Sequence, residues 1–145
     1  MIVLPFDMKD AIKVQPREDD VHELMDLGLS VTDVLRIGSE DGNAKMMVEG
    51  DTVVAVFGVS SHAYGFGIPW LLSTIHTEAH TREFLRVCRE EVIDMAVEYG
   101  QLINYVSAEN TTAIRWLEYL GFDIEDPAPY GPKCAPFCRF TMTGA

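Results

Sequence analysis

The chain has 145 residues, with 11 lysines and arginines against 23 aspartates and glutamates, which give a formal net charge of −12. This length suffices for one domain with a buried core, and 48% hydrophobic residues exclude the disordered class. A surface this acidic repels phosphate backbones and anionic lipids, so we expect binding neither to nucleic acid nor to a membrane. The charge is compatible with a cationic amine or a protein as partner.

Cysteine content and the N-terminal residues bear on the compartment. Three cysteines, an odd number, fit a reducing compartment better than a disulfide framework. No apolar run approaches the roughly 20 residues of a transmembrane helix. Residues 1–5 contain no basic region ahead of an apolar one, so the sequence predicts no signal peptide.

The first elements in the chain are predicted to be a short strand and two small helices. An apolar segment at 2–4 predicts the strand. Proline suits the first position of a helix, so Pro16 predicts the start of the first helix. The spacing of Ser30 and Asp33 is that of a capping box and predicts a second helix, which Gly38 ends. The apolar side of the first helix consists of Val21, Leu24, Met25 and Leu27.

Strands and one long helix make up most of the remaining chain. The dipeptide Gly50-Asp51 is typical of a tight hairpin turn between two strands. A long helix is predicted from Thr77 or Thr81 to Tyr99. The prolines at 126–136 predict a loop, because proline cannot donate to a strand ladder. Strands are predicted at 44–49, 52–59, 68–75, 102–106, 122–125 and 137–142.

A strand followed by a capped helix closes the pattern. After the apolar run at 102–106, Asn110 can accept a hydrogen bond from a free N–H of the first helical turn. Gly121 supplies the left-handed residue that ends the helix. The apolar face of this helix consists of Ala113, Ile114, Leu117 and Leu120. Taken alone, these features indicate a strand and an amphipathic helix of an α/β domain.

The spacing within this helix resembles a known family motif. Asn110, Ala113 and the pair Gly121-Phe122 stand as in N-x-x-A-x-x-x-(Y)-x-x-x-G-F, which resembles the C-terminal motif of the GNAT (Gcn5-related N-acetyltransferase) superfamily. The predicted order of elements is also that of the superfamily. The resemblance implies one domain with a GNAT-like α/β (α+β) fold, a mixed, mostly antiparallel sheet with helices on both faces. The sheet should splay between the strands that carry Trp70 and Tyr105.

The same resemblance implies acetyl-CoA or CoA as the cofactor. In the superfamily the asparagine and the start of its helix lie beside the acyl-CoA thiol arm, and the bracketed tyrosine often protonates the leaving thiolate. Leu117 stands at the tyrosine position in this chain. The residues that the resemblance places at the cofactor are Leu72, Ser73, Thr74, Arg82, Asn110 and Ala113.

The junction between the strand at 68–75 and the long helix departs from the superfamily. Catalytic members bind the CoA pyrophosphate there through backbone N–H groups that glycines leave accessible, in the pattern R/Q-x-x-G-x-G/A. Residues 73–82 contain no glycine, and Glu78 would bring a negative charge to the phosphates. Together with Leu117, this implies a catalytically degenerate relative, with Arg82 and the threonine hydroxyls as partial compensation.

His76 and Glu78 are the candidate catalytic residues if acetyl transfer occurs. Either could take a proton from an amine that attacks the acetyl-CoA thioester, while backbone groups of 70–73 polarise its carbonyl. A helix cap and an acid that complements the helix dipole are the simpler explanation of the same two residues.

Two histidines and two cysteines have side chains of the kind that bind zinc. His76 and His80 could share a helix face, and Cys134 and Cys138 could complete a tetrahedral set. The cysteine spacing is not typical of a zinc site, and Cys138 begins a predicted strand. The sequence therefore predicts no metal.

A second resemblance covers the same region. Asn104-Tyr105-Val106, Asn110-Thr111 and Ile114-Arg115-aromatic-Leu117 resemble the small internal virion protein family of T7-like phages, whose members are themselves GNAT-like. The resemblance implies a viral protein, located in the virion or the host cytoplasm, that binds other proteins. The alternative is an active acetyltransferase that transfers acetyl to an amine of a small molecule or protein.

Overall fold

The computed structural model describes residues 1–144 and contains one sheet with four α-helices. The strands are β1 (Ile2–Pro5), β2 (Lys45–Glu49), β3 (Thr52–Ser61), β4 (Gly67–Ser73), β5 (Gln101–Ser107), β6 (Asp123–Ile124), β7 (Ala128–Tyr130) and β8 (Ala135–Thr143). The helices are α1 (Glu18–Asp26), α2 (Val31–Glu40), α3 (Thr81–Tyr99) and α4 (Thr111–Leu120), with 3₁₀ turns at Met8–Lys13 and Thr77–His80. Within the described residues no helix combines the length and apolarity that crossing a membrane requires.

The sheet is mixed and mostly antiparallel, as predicted. Its order is β1-β2-β3-β4-β5-β8-β6, with β7 also paired to β8. The one parallel pair, β4 with β5, is in register at Gly67 and Leu102 alone, so the two strands diverge from that point. Asn104 Nδ2 donates to the Pro69 carbonyl across 2.6 Å and bridges the start of the divergence. The splay between the strands of Trp70 and Tyr105 is thereby confirmed.

Each face of the sheet carries a hydrophobic core. Phe84, Leu102 and Phe122 belong to the core under α3 and α4. Leu35 and Leu72 belong to the core on the opposite face, under α2 and the first 3₁₀ turn. Strand β3 contributes to both cores, which is why its apolar side chains run continuously along the strand.

The prediction that Pro16 opens the first helix is wrong. Pro16 forms an isolated antiparallel bridge with Thr74, and α1 begins two residues later at Glu18. The predicted apolar side is also partly wrong, since Met25 is 55% exposed. The buried residue of α1 is Asp20. The physical reason is that residues 15–17 extend the sheet beside β4, which turns a polar side of the helix toward the protein.

The prediction that Gly38 ends the second helix is wrong as well. Helix α2 continues through Glu40, and its capping box at Ser30 is present as predicted. Gly38 is buried against the Trp70 ring, and a Cβ at this position would clash with that ring. The glycine is therefore used for close helix–strand packing and not as a stop.

The predicted loop at 126–136 contains strand β7, so that prediction is wrong in part. Pro129 lies opposite Pro136 in the β7–β8 register. The residues of β7 are exposed, and an edge strand tolerates a proline because the missing N–H faces solvent.

Candidate functional site

A cleft opens where β4 and β5 diverge. It encloses a cavity of about 320 Å³ that reaches into the interior between the helices of both faces. Its walls are mostly apolar, and the polar side chains among them come from α1, α3, β4, β5 and the start of α4. The lining includes Leu71, Ala113, Trp116, Leu117, Asp20 and Glu23.

Backbone groups of β4 face this cleft at alternate positions. The Thr74 N–H donates to the Val54 carbonyl at 3.1 Å, so even-numbered residues of β4 are bonded toward β3. The N–H and C=O groups of the odd-numbered residues, Leu71 and Ser73, therefore point toward β5. The N–H groups among them are donors that could polarise a carbonyl placed in the cleft.

The chain itself occupies the end of this strand edge. The Arg17 N–H donates to the Ser73 carbonyl at 3.0 Å, and the Ile75 N–H donates to the Gln15 carbonyl at 3.0 Å. Residues 15–17 thus act as a short additional strand on the side of β4 from which β5 has turned away.

Asp20 accepts from both hydrogen-bond donors of Ser73. Its Oδ2 accepts from the Ser73 N–H at 2.8 Å and from the Ser73 hydroxyl at 2.6 Å. Its Oδ1 accepts from Asn110 Nδ2 and from Arg17 Nη2, each at 3.0 Å. The side chain is almost fully buried, and these bonds compensate for the desolvation of its charge.

Arg17 forms hydrogen bonds with the same group of residues. Its Nε donates to the Ser73 hydroxyl at 2.7 Å, and its Nη2 donates to Asn110 Oδ1 at 3.2 Å. The guanidinium lies 4.7 Å from the centre of the Trp116 ring, a cation–π contact. One arginine thereby connects the end of β4, the start of α4 and α1.

Glu23 is the second carboxyl group of α1 in the cleft. Its Oε1 accepts from the Ser107 N–H at 2.7 Å and from Asn110 Nδ2 at 3.4 Å. Burial raises the pKa of Glu23 from its ordinary 4.5 to about 7, and the charge of Asp20 acts in the same direction. With this pKa, the protonated and the ionised form of the carboxyl group both occur near neutral pH.

Asn110 lies where the sequence predicts, at the cap of α4. Its Oδ1 accepts from the Ala113 N–H at 3.4 Å, and Gly121 ends the helix with φ of 98°. The sequence did not reveal Arg17, Asp20 and Glu23 as site residues. The available signal was an Asp and a Glu three positions apart, on one helix face, which acidic first turns commonly contain.

The other residues predicted at the cofactor lie in different surroundings. Ala113 and Leu117 line the cleft, with Leu117 at the superfamily's tyrosine position. Leu72 is buried in the core on the α2 side, and the Thr74 hydroxyl donates to the carbonyls of β3. Arg82 is exposed in the first turn of α3.

The candidate bases lie beyond the end of β4. His76 Nε2 is 3.2 Å from Gln15 Oε1, and Glu78 is exposed in the 3₁₀ turn that precedes α3. The Thr77 N–H is bonded to the Thr74 carbonyl, and the His76 N–H to the Thr74 hydroxyl. Neither candidate base is among the residues that line the cavity.

His76, His80, Cys134 and Cys138 do not form a cluster. Among residues 1–144, no group of three or more histidine, cysteine or acidic side chains is placed to hold a metal ion. Cys138 is buried, whereas Cys134 is exposed with φ of 52°.

Solved structures with the same fold are GNAT acetyltransferases. A GNAT-family acetyltransferase from Bacillus anthracis superposes with a TM-score of 0.70 at 12% identity, over 97% of this chain and 93% of that one. Ard1 from Thermoplasma volcanium superposes with a TM-score of 0.65 at 17% identity, over 99% and 97%. The putative acetyltransferase yncA from Salmonella typhimurium, solved with acetyl-CoA, superposes with a TM-score of 0.65 at 14% identity, over 98% and 92%.

These comparisons establish the GNAT fold, which the sequence predicted. No protein-family model matches the chain, and no curated protein matches it. At such identities the likeness concerns the fold, and the chemistry has to be argued from the cleft itself.

Proposed function

We propose that the protein is a GNAT-fold binding protein without acetyltransferase activity. The observation that carries this proposal is the hydrogen bond from the Ser73 N–H to Asp20, at 2.8 Å. It occupies one of the backbone donors of the strand that would polarise the acetyl carbonyl during transfer.

Displacing this contact is unfavourable for a neutral ligand. The Asp20 carboxylate is a charged acceptor, and a thioester or amide carbonyl forms a weaker hydrogen bond with the same donor. A ligand arm lying along β4 would also have to replace the backbone bonds of residues 15–17 to Ser73 and Ile75. Such a ligand would therefore bind only at the expense of the packing of α1.

The phosphate end of CoA is also poorly accommodated. The N–H groups of His76 and Thr77 at the β4–α3 junction are bonded within the chain. Glu78 places a carboxylate in the turn, and the formal net charge of the protein is −12. A pyrophosphate could not use these two donors and would meet an unfavourable field.

The resemblance to internal virion proteins supports a protein partner as the ligand. The resemblance is clearest from about Phe84 to Gly121, and its motif residues lie in 104–117, which in the structure forms the end of β5 and most of α4. In this proposal the protein is a component of a phage particle, and its fold supplies a stable surface for other virion proteins. The virion assignment predicts that the protein is found by mass spectrometry in particles purified after infection.

Calorimetric titration with acetyl-CoA and with CoA tests the absence of cofactor binding. We expect no heat of binding at millimolar ligand at pH 6, because residues 15–17 and Asp20 occupy the edge of β4 and the N–H groups of His76 and Thr77 are bonded within the chain. Circular dichroism of the same samples confirms that the protein is folded. Micromolar binding that is lost in Ala113→Trp, a variant that fills the cleft, would contradict the proposal.

The second candidate is an acetyl-CoA-dependent N-acetyltransferase. Glu23 favours it, because a carboxyl group with a pKa of about 7 beside an apolar cleft suits a general base. Leu71 favours it too, since its backbone groups point into the cleft next to Ser73. Cofactor binding in the titration, together with acetylated amine products that disappear in Glu23→Gln, would establish this candidate.

A further inference from the structure

Helix α1 is fastened to the protein by buried polar groups, with Leu24 packed against the core on the α2 side. Its buried residue is Asp20, and Met25 is more than half exposed. Its connections to β4, β5 and α4 are the hydrogen bonds of Arg17, Asp20 and Glu23. A helix held in this way depends on the charge state of its contacts more than one held by apolar burial.

The charges of these contacts do not balance. Asp20 accepts from Arg17, Asn110 and Ser73, so its charge is compensated. Glu23 accepts only from an amide N–H and an Asn side chain, and the hydrogen bonds of Arg17 go elsewhere. An ionised Glu23 would be a second, partly buried negative charge, one helical turn from Asp20, without a hydrogen-bonded cation of its own.

We propose that residues 15–26, termed the latch, form a pH-sensitive device that closes the cleft while Glu23 is protonated and loosens when Glu23 ionises. Loosening withdraws Asp20 from Ser73 and uncovers the edge of β4. This inference goes beyond the proposed function, because it concerns the movement of α1 in the absence of any ligand.

The direction follows from the two protonation states. Burial raises the pKa of Glu23 in the closed latch to about 7, and release into water returns it toward 4.5. The closed latch is therefore favoured at low pH. It becomes less stable as pH rises from 4.5 to about 7, and its stability changes little above that range. Between pH 5 and pH 8 the population of the loosened latch should rise by roughly 50-fold.

Other ionisable groups around the cleft do not supply the missing cation. Asp20 and Arg17 face Glu23 from the latch itself, and Arg17 lowers the pKa of Glu23 by less than burial and the charge of Asp20 raise it. Tyr105 lines the cavity from β5. Cys88 and Glu91 line it from α3. Burial raises the pKa of Cys88 to about 12, so it stays neutral, and Glu91 is paired with Lys45 at 3.2 Å.

Amide hydrogen exchange followed by NMR tests the latch in the full chain without ligand. The reporters are the Ser73 and Ser107 amides, which donate to Asp20 and Glu23, and their rates are corrected for the intrinsic effect of pH. We expect their protection to fall roughly 50-fold from pH 5 to pH 8. In Glu23→Gln, which keeps an acceptor of the same size, protection should stay high and independent of pH.

Glu18→Gln is the matched control, because it removes the same charge from an exposed position of the same helix. It should retain the pH dependence of the unmodified chain. Constant protection at both amides in the unmodified chain would overturn the proposal, as would an equal response of the two glutamine variants. Because no CoA is present, failure here leaves the outcome of the CoA titration unaffected.

Discussion

At the scale of single residues, Asn110 serves two structural purposes with one side chain. Its oxygen caps α4 by accepting from Ala113, and its nitrogen donates to Asp20. The cap joins residues three positions apart, whereas the hydrogen bond to Asp20 joins residues 90 positions apart in the chain. Loss of this side chain should therefore cost more than a surface cap.

We expect Asn110→Ala to lower the free energy of unfolding by about 2–3 kcal/mol, measured by urea denaturation. A cap contributes about 1 kcal/mol, and the loss of one of the two donors to Asp20 Oδ1 adds roughly 1–2 kcal/mol. Asn110→Ser keeps a capping oxygen and lacks the amide N–H that donates to Asp20, so it separates the two contributions. The exposed Glu109→Ala should change stability by less than about 0.5 kcal/mol. A loss below about 1 kcal/mol in Asn110→Ala would show that the cap alone matters.

At the scale of elements, the packing of α2 on the sheet depends on one glycine. Gly38 and Gly58 both approach the Trp70 ring so closely that a Cβ on either would clash with it. The ring thus fills the space between helix α2 and strand β3. The position of α2 is set by this contact as well as by the apolar burial of Leu35.

Gly38→Ala should destabilise the protein by about 1 kcal/mol in thermal or urea unfolding. Alanine gains about 1 kcal/mol over glycine inside a helix, but overpacking at the Trp70 ring costs roughly 1–3 kcal/mol. In a Trp70→Leu background the clash is absent, and the same substitution should become stabilising. A stabilising effect of Gly38→Ala in both backgrounds would show that the ring moves aside without cost.

The segment before α1 shows how tertiary context changes an element. Proline at position 16 satisfies the preference for a helix start, yet it pairs with Thr74 at the edge of the sheet. The edge of β4 is free there because β5 has turned away, and unpaired backbone groups of a strand favour any segment that can satisfy them. A local preference worth a few tenths of a kcal/mol is easily outweighed by two backbone hydrogen bonds.

At the scale of the whole molecule, the partly buried Glu23 makes global stability depend on pH. Its folded pKa of about 7 lies above the ordinary 4.5, so the folded state binds this proton more tightly than the unfolded state. The contribution is present in full below 4.5 and is lost as pH rises through 7, amounting to about 3 kcal/mol at most.

Urea denaturation of the unmodified chain and of Glu23→Gln between pH 4.5 and pH 8 measures this contribution. The difference in free energy of unfolding between the two should shift by about 3 kcal/mol in favour of the glutamine variant as pH rises. Taking the difference cancels the titration of the remaining groups. A difference that is constant over this range would mean that Glu23 titrates alike in both states.

The order of strands and helices and the fold class could be predicted from the sequence, because periodicity, caps and turns act over a few residues. Asn110, Gly121 and the capping box at Ser30 formed as predicted for this reason. Only the tertiary structure decided which polar side chains meet in the cleft. Arg17 meets Ser73 and Asn110 from 56 and 93 positions away, respectively. A buried carboxylate is stable only where such distant donors converge, and no local pattern encodes that convergence.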